Sequence, residues 1–161
     1  MHFEIKFPAS RIANCALIYR AEEFSFDVVP SLSSFTSVLV NDLNLDINES
    51  GLALSVWGLC PYTSWKITNL VAPKVDFGDV VLATKKPLHA GISLRMHQGL
   101  YWPVLVDPSS GWVVLASGNE AFSRAKILSG VILETDRHHR LCNVWLRPDK
   151  LPERLVARSA N

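Results

Sequence analysis

Cysteine is scarce in this chain, and what there is has no pattern. Cys15, Cys60 and Cys142 are an odd number in 161 residues, with no short spacing between them. That excludes a disulfide framework and a Cys-x-x-Cys zinc site, both of which need paired or closely spaced thiols. An excess of one charge is also lacking, with sixteen Lys and Arg against fifteen Asp and Glu. A chain so balanced has no overall attraction for nucleic acid or anionic lipid, so neither is an expected partner. No apolar run approaches the ~20 residues that span a bilayer. The opening "MHFEIKFPASR" lacks the basic-then-apolar order of a signal peptide, and a cytoplasmic location is the expectation. Walker, GxGxxG, GxSxG and HExxH motifs are all missing. "DFGD", Asp76 to Asp79, has the letters of the kinase magnesium motif without its glycine-rich loop or His-Arg-Asp loop, and reads as a turn. No cofactor, metal or catalytic residue set is indicated.

What the chain does have is short apolar segments punctuated by proline and glycine, with 48% apolar and 19% charged residues. That is a globular composition, here patterned as an antiparallel sheet protein, and 1–161 reads as one domain. No internal repeat is visible. In "LNLDINESGLALSV", Leu43, Leu45 and Ile47 alternate with polar residues, and Leu52, Leu54 and Val56 resume the alternation after a turn at Asn48–Gly51. Period two sets these six on one face and Asp42 and Asp46 on the other. A second hairpin turns at Asp107–Gly111, with Gly91 to Met96 expected to pair with the same unit. A third turns at Asp136–His139, with Cys142, Val144 and Leu146 on one face and Leu141, Asn143 and Trp145 on the other. "HFEIKF" and "EFSFDVV" read as strands, the second with Phe24, Phe26 and Val28 on one face, and "SRIANCALIYR" fits either a strand or a short helix. In "SGNEAFSRAKIL", Ser117 and Glu120 have capping-box spacing and Phe122, Ala125 and Leu128 recur at helical spacing, which predicts a helix. The fold class expected is α+β: mostly antiparallel sheet of hairpins with one or two short helices.

Two kinds of site are open on these residues. Cys60, in the turn-like "CPYTSW", is the candidate nucleophile, with His89, His97, His138 or His139 as its base in a small hydrolase or transferase. A cysteine before proline is otherwise a small buried hydrophobe at a strand end. His138 and His139 sit at a hairpin tip, and adjacent strand residues point to opposite faces, so they are not a metal pair. The other kind is a binding surface. Residues 1–55 hold Lys6, Arg11 and Arg20 against seven carboxylates, whereas residues 119–161 hold eight Lys and Arg against five Asp and Glu. Asp42, Asp46 and Glu49 in the acidic part, with Tyr62 and Trp65 in the polar turn after Cys60, are the candidate partner-binding residues. Carboxylates would speed encounter with a basic partner, and the rings would anchor it.

With "VWGLCPYTSW", "YWPVLVDPSSGWVVL" and the closing "VWLRPDKLP", the chain resembles, in texture over its whole length, the small immunity proteins that neutralise polymorphic or contact-dependent growth-inhibition toxins of bacteria. That class has no shared signature, and no site residue is carried over from it. The resemblance implies a non-enzymatic protein-binding module whose partner is a cognate protein toxin, blocked by steric occlusion. An accessory module that binds nucleic acid or another component of a bacterial assembly is the remaining reading.

Overall fold

Each apolar–polar alternation above resolves into a strand, because period two gives a pleated ribbon one face to bury. The computed structural model describes residues 1–96 and 100–159. Along the chain these form β1 (His2–Lys6), β2 (Ala16–Arg20), β3 (Ser25–Val29), β4 (Thr36–Val40), β5 (Leu43–Ile47), β6 (Ala53–Leu59) and β7 (Lys66–Ile67). There follow β8 (Asp79–Ala83), β9 (Leu94–Arg95), β10 (Val104–Asp107), β11 (Trp112–Ala116), β12 (Ser123–Leu128), β13 (Val131–Thr135) and β14 (Leu141–Leu146). Helix content is small: α1 (Glu153–Ser159) and one 3-10 turn at Tyr62–Ser64. No helix among the described residues is long and apolar enough to cross a membrane.

An N-terminal sheet has the order β2-β3-β6-β5-β4-β9, and a C-terminal sheet the order β12-β13-β14-β11-β10-β7. The ribbon β1·β8 is a third, two-stranded sheet. Pairing is antiparallel except where the two-residue strands β9 and β7 join edges.

Three expectations are corrected. The helix expected at 117–128 is instead a turn that leads into strand β12. Ser117 Oγ accepts from the Asn119 N–H in a local turn, and Ala125 and Ile127 point inward while Arg124 and Lys126 point out. The helical spacing failed because Phe122 is exposed, so its match to Ala125 and Leu128 was accidental. Gly91 to Met96 does not join the second hairpin; Leu94 and Arg95 pair with Val38 and Leu39 of β4. Phe24 does not share a face with Phe26 and Val28, because it closes the β2–β3 turn at φ 54° with its ring exposed.

The chain also contains the repeat that its sequence hides. Each main sheet is a hairpin (β2–β3, β10–β11) followed by a three-strand meander (β4–β5–β6, β12–β13–β14), with the hairpin's second strand pairing to the meander's third. The registers agree: Phe26 opposes Gly58 as Val113 opposes Leu146, and Val38 opposes Leu45 as Ala125 opposes Leu133. Even the turns agree. Asn48 Oδ1 accepts from the N–H groups of Ser50 and Leu52, and Asp136 Oδ1 from those of His138 and Arg140. The tips then cross over. The Leu82 N–H of β8 donates to the Gly51 carbonyl, and the Phe3 N–H of β1 donates to the His139 carbonyl. Phe3 and Leu82 oppose each other in the β1·β8 ribbon, so the two bonds are reciprocal, as a two-fold relation between the halves requires.

Both meanders carry a bulge at the same place. Ala53 and Ser55 face Ile47 and Asp46, leaving Leu54 as the extra residue, and Leu141 and Asn143 face Thr135 and Glu134, leaving Cys142. An extra residue reverses the alternation beyond it. Ala53 rather than Leu54, and Leu141 rather than Cys142, therefore join the core with Val56 and Val144. Corresponding residues of the two sheets (Phe26, Leu45 and Val56; Val113, Leu133 and Val144) meet in one buried cluster. Each such side chain contributes ~1.5–3 kcal/mol of burial.

The halves differ in what covers their outer faces. On the C-terminal sheet, residues 66–78 form a strap. It enters along β10, where the Thr68 N–H donates to the Val106 carbonyl and the Leu70 N–H to Asp107 Oδ2 at 3.0 Å. It crosses with Leu70, Ala72 and Val75 packed on Val114, Ile132 and Trp145, while Val71 between them is 92% exposed. It leaves along β12, where the Lys126 N–H donates to the Asp76 carbonyl and the Gly78 N–H to the Lys126 carbonyl.

Two outcomes test this architecture. Gly51 has φ 86°, and a Cβ there would lie 2.6 Å from the Leu82 carbonyl oxygen, whereas His139 holds the corresponding place at φ 61° with a side chain. Gly51→Ala is expected to cost about 3 kcal/mol in denaturant unfolding and His139→Gly less than about 1 kcal/mol. Asp107, meanwhile, has its carboxyl lowered from 3.8 to about 2, first by the Leu70 N–H and then by the Ser109 hydroxyl. A carboxylate whose folded value is depressed adds stability above its unfolded value and loses it as pH falls through the folded one. Between pH 5 and pH 2 the protein should therefore lose about 2 kcal/mol more stability than Asp107→Asn does.

Candidate binding face

The corner after β6 is a packed one. Tyr19 on β2 donates its hydroxyl to the Cys60 carbonyl at 2.7 Å and accepts from the Tyr62 N–H at 3.1 Å, fixing the chain on both sides of Pro61. Trp65 stacks on Phe26 at 5.8 Å and lies 4.9 Å from Tyr19, inside the core. Trp65 is therefore no surface anchor, because the turn folds it inward over β2 and β3. Tyr62 is half-buried and stacks on the exposed Phe24 ring at 5.7 Å.

Cys60 is 5% exposed. Burial pushes its thiol up to about 12, and the Trp65 indole beside it offsets only part of this. Such a thiol carries almost no thiolate at neutral pH, and thiolate is the nucleophile. Burial likewise pushes Cys142 up to about 12. Of the four histidines considered as its base, His97 lies outside the described residues, His89 is exposed between β8 and β9, and His138 and His139 are on the exposed β13–β14 tip.

The candidate carboxylates separate. Asp42 is exposed and accepts from the Tyr101 hydroxyl at 2.8 Å; Glu49 is exposed on the β5–β6 tip. Asp46 is buried, against expectation, because β6 wraps donors around it. Trp57 Nε1 donates to Oδ1 at 2.8 Å and Ser55 Oγ to Oδ2 at 3.3 Å. Desolvation raises its carboxyl above the usual range, opposed by the bonds from Trp57, Ser55 and Ser34. Glu134 is its counterpart, accepting from Trp145 Nε1 at 2.8 Å and Asn143 Nδ2 at 2.7 Å. Glu134 has in addition a guanidinium, Arg124 Nε at 2.9 Å. Ser37 stands at the corresponding position of β4, opposite Asp46, and bonds Asn44 and Ser93 instead.

These pairs bring out a residue that was not among the candidates. Trp57 and Trp145 occupy equivalent positions, yet Trp145 is 9% exposed under the strap and Trp57 is 47% exposed. Leu59, two residues on, is exposed on the same side of β6. Beside Trp57 lies a cleft of about 250 Å³, lined by Asp27, Ser31, Leu32, Ser34, Asp46 and Ser55. The signal in the sequence was the Val-Trp pair that closes both meanders, Val56-Trp57 and Val144-Trp145.

No family model matches the chain, and no curated protein does. The geometry thus stands by itself. It offers a half-exposed indole held by a buried carboxylate, an adjoining exposed leucine and a polar cleft.

At neutral pH, iodoacetamide is expected to leave Cys60 and Cys142 unmodified in the folded protein and to label both after denaturation. Mass spectrometry of the digested chain reads the result. Rapid labelling confined to Cys60 in the folded state would restore the nucleophile reading.

Proposed function

We propose that the chain is a non-enzymatic protein-binding module, an immunity protein that neutralises a cognate toxin by covering its working surface. One observation carries the reading: the outer face of the N-terminal sheet leaves Trp57 and Leu59 open where the equivalent indole of the C-terminal sheet is covered. Tryptophan is among the residues most enriched where binding energy concentrates, and an indole already held by Asp46 loses little side-chain freedom on docking. Asp42 and Glu49, exposed at either end of β5, give that side an acidic border that would speed encounter with a basic partner. The texture of the whole sequence, resembling immunity proteins, agrees with this use.

Co-expression with the neighbouring reading frame is the test. That frame alone should arrest growth, this chain should relieve the arrest, and the two should co-purify. A neighbour that is harmless and does not co-purify removes the reading.

A further inference from the structure

The strap on the C-terminal sheet shows what kind of chain fits the outer face of this fold. It is extended, runs from the hairpin edge to the meander edge, and sets apolar side chains on an indole held by a buried acid. The N-terminal sheet has the same strand order, the same bulge and the same acid–indole bond, without a strap over Trp57. Its charges are also reversed in balance. Where the C-terminal sheet carries Arg124, Lys126, Arg137 and Arg147, the corresponding residues of the N-terminal sheet are Ser37, Leu39, Glu49 and Leu59. Glu134 has its cation in Arg124, whereas among the described residues no ion pair reaches Asp46. The cleft beside Trp57 opens onto that carboxylate, and Asp27, already paired with Arg20 at 3.5 Å, lines it as well.

We infer that the outer face of the N-terminal sheet takes an extended segment of a partner protein, with apolar residues over Trp57 and Leu59 and a lysine or arginine in the cleft at Asp46. This rests on the protein-binding reading above and names the chemistry of what binds. The strap supplies the shape of the ligand, since Leu70 and Ala72 touch the face and Val71 between them points away. A bound segment should repeat that spacing, because any extended chain lying on the face turns alternate residues toward it. The basic residue brings to Asp46 what Arg124 brings to Glu134: a positive charge with donors for a carboxylate that now has only neutral ones.

The probe is a library of random linear peptides displayed on phage and selected on the intact chain. Enriched sequences should carry apolar residues two apart with a Lys or Arg nearby. Synthetic versions should bind at least about ten-fold more weakly to Leu59→Glu, whose side chain is exposed and whose folding is not at stake. Asp46→Asn should weaken them similarly and erase the preference for Lys or Arg. Phe122→Ala, an exposed position on the other sheet, should change nothing. No enrichment, or peptides that bind Leu59→Glu and the unaltered chain alike, overturns the inference. The two readings fail separately. A toxin whose neutralisation survives Leu59→Glu overturns the face and leaves the function, whereas peptides held at this face with a harmless neighbouring frame leave the face and overturn the function.

Discussion

One extra residue in each meander decides which way the side chains of this protein face. With Leu54 in β6 and Cys142 in β14, the strands change phase just after their turns. Val56 and Val144 thereby fall in the core, and Trp57 and Trp145 fall on the outer side. Behind each bulge sits an acid, Asp46 or Glu134, that would be expensive to bury if its oxygens were unmet. The indole three residues beyond the extra one meets one of them, and Ser55 or Asn143, the residue following the extra one, supplies a second donor. Charge-assisted bonds of this kind are worth ~1.5–3 kcal/mol each. They fix the indole in place and make the bulge the favoured register. The core, the acid and the outer-face tryptophan are consequences of a single local irregularity used twice.

The duplication, in turn, explains why the two faces differ. Two sheets of one design present two outer faces, and each edge needs chain to cover it. Between β6 and β8 the connection runs over the C-terminal sheet and then along β12. Between β8 and β10 the connection is spent at the edge of the N-terminal sheet. Gly91 donates to the Phe35 carbonyl, the Thr36 hydroxyl to the Ile92 carbonyl, and β9 adds to β4. That closes the β4 edge against stray strand pairing, a liability of any open sheet. It leaves Trp57 and Leu59 uncovered.

Much of the fold was legible because period two is a strong signal. The three hairpin turns at 48–51, 107–111 and 136–139 stand where their Asn, Asp, Pro and Gly residues put them. The errors have physical causes. A bulge cannot be seen in a pattern of apolar letters, so period two puts Leu54 on the face of Val56 and Cys142 on that of Val144, where Ala53 and Leu141 belong. The repeat was invisible because an antiparallel core accepts any apolar residue of similar size. Across the β5–β6 and β13–β14 hairpins, only Leu45 and Leu133, Val56 and Val144, and Trp57 and Trp145 are identical. The polar setting of Trp65 suggested exposure, but a 3-10 turn tied to Tyr19 folds it under. Asp42 and Glu49 lie at turns and kept their exposure; Asp46 lies mid-strand, where the neighbouring strand decides.

Asp46 links the site to the stability of the fold. Its carboxyl is raised by burial, so its ionised form is held at some cost. The C-terminal sheet places Arg124 beside Glu134 and lays the strap across its face. In the N-terminal sheet the compensation is only neutral donors, and the cleft leaves a path to the acid from outside. A carboxylate without a cation among the described residues, beside an indole without cover, would gain on both counts from the basic and apolar segment proposed above. An apolar segment without charge would cover Trp57 and leave Asp46 as it is, and a basic one without apolar residues would do the reverse. On the proposed reading, selectivity for a segment carrying both would follow from the one sheet of the repeat that has no strap over its indole.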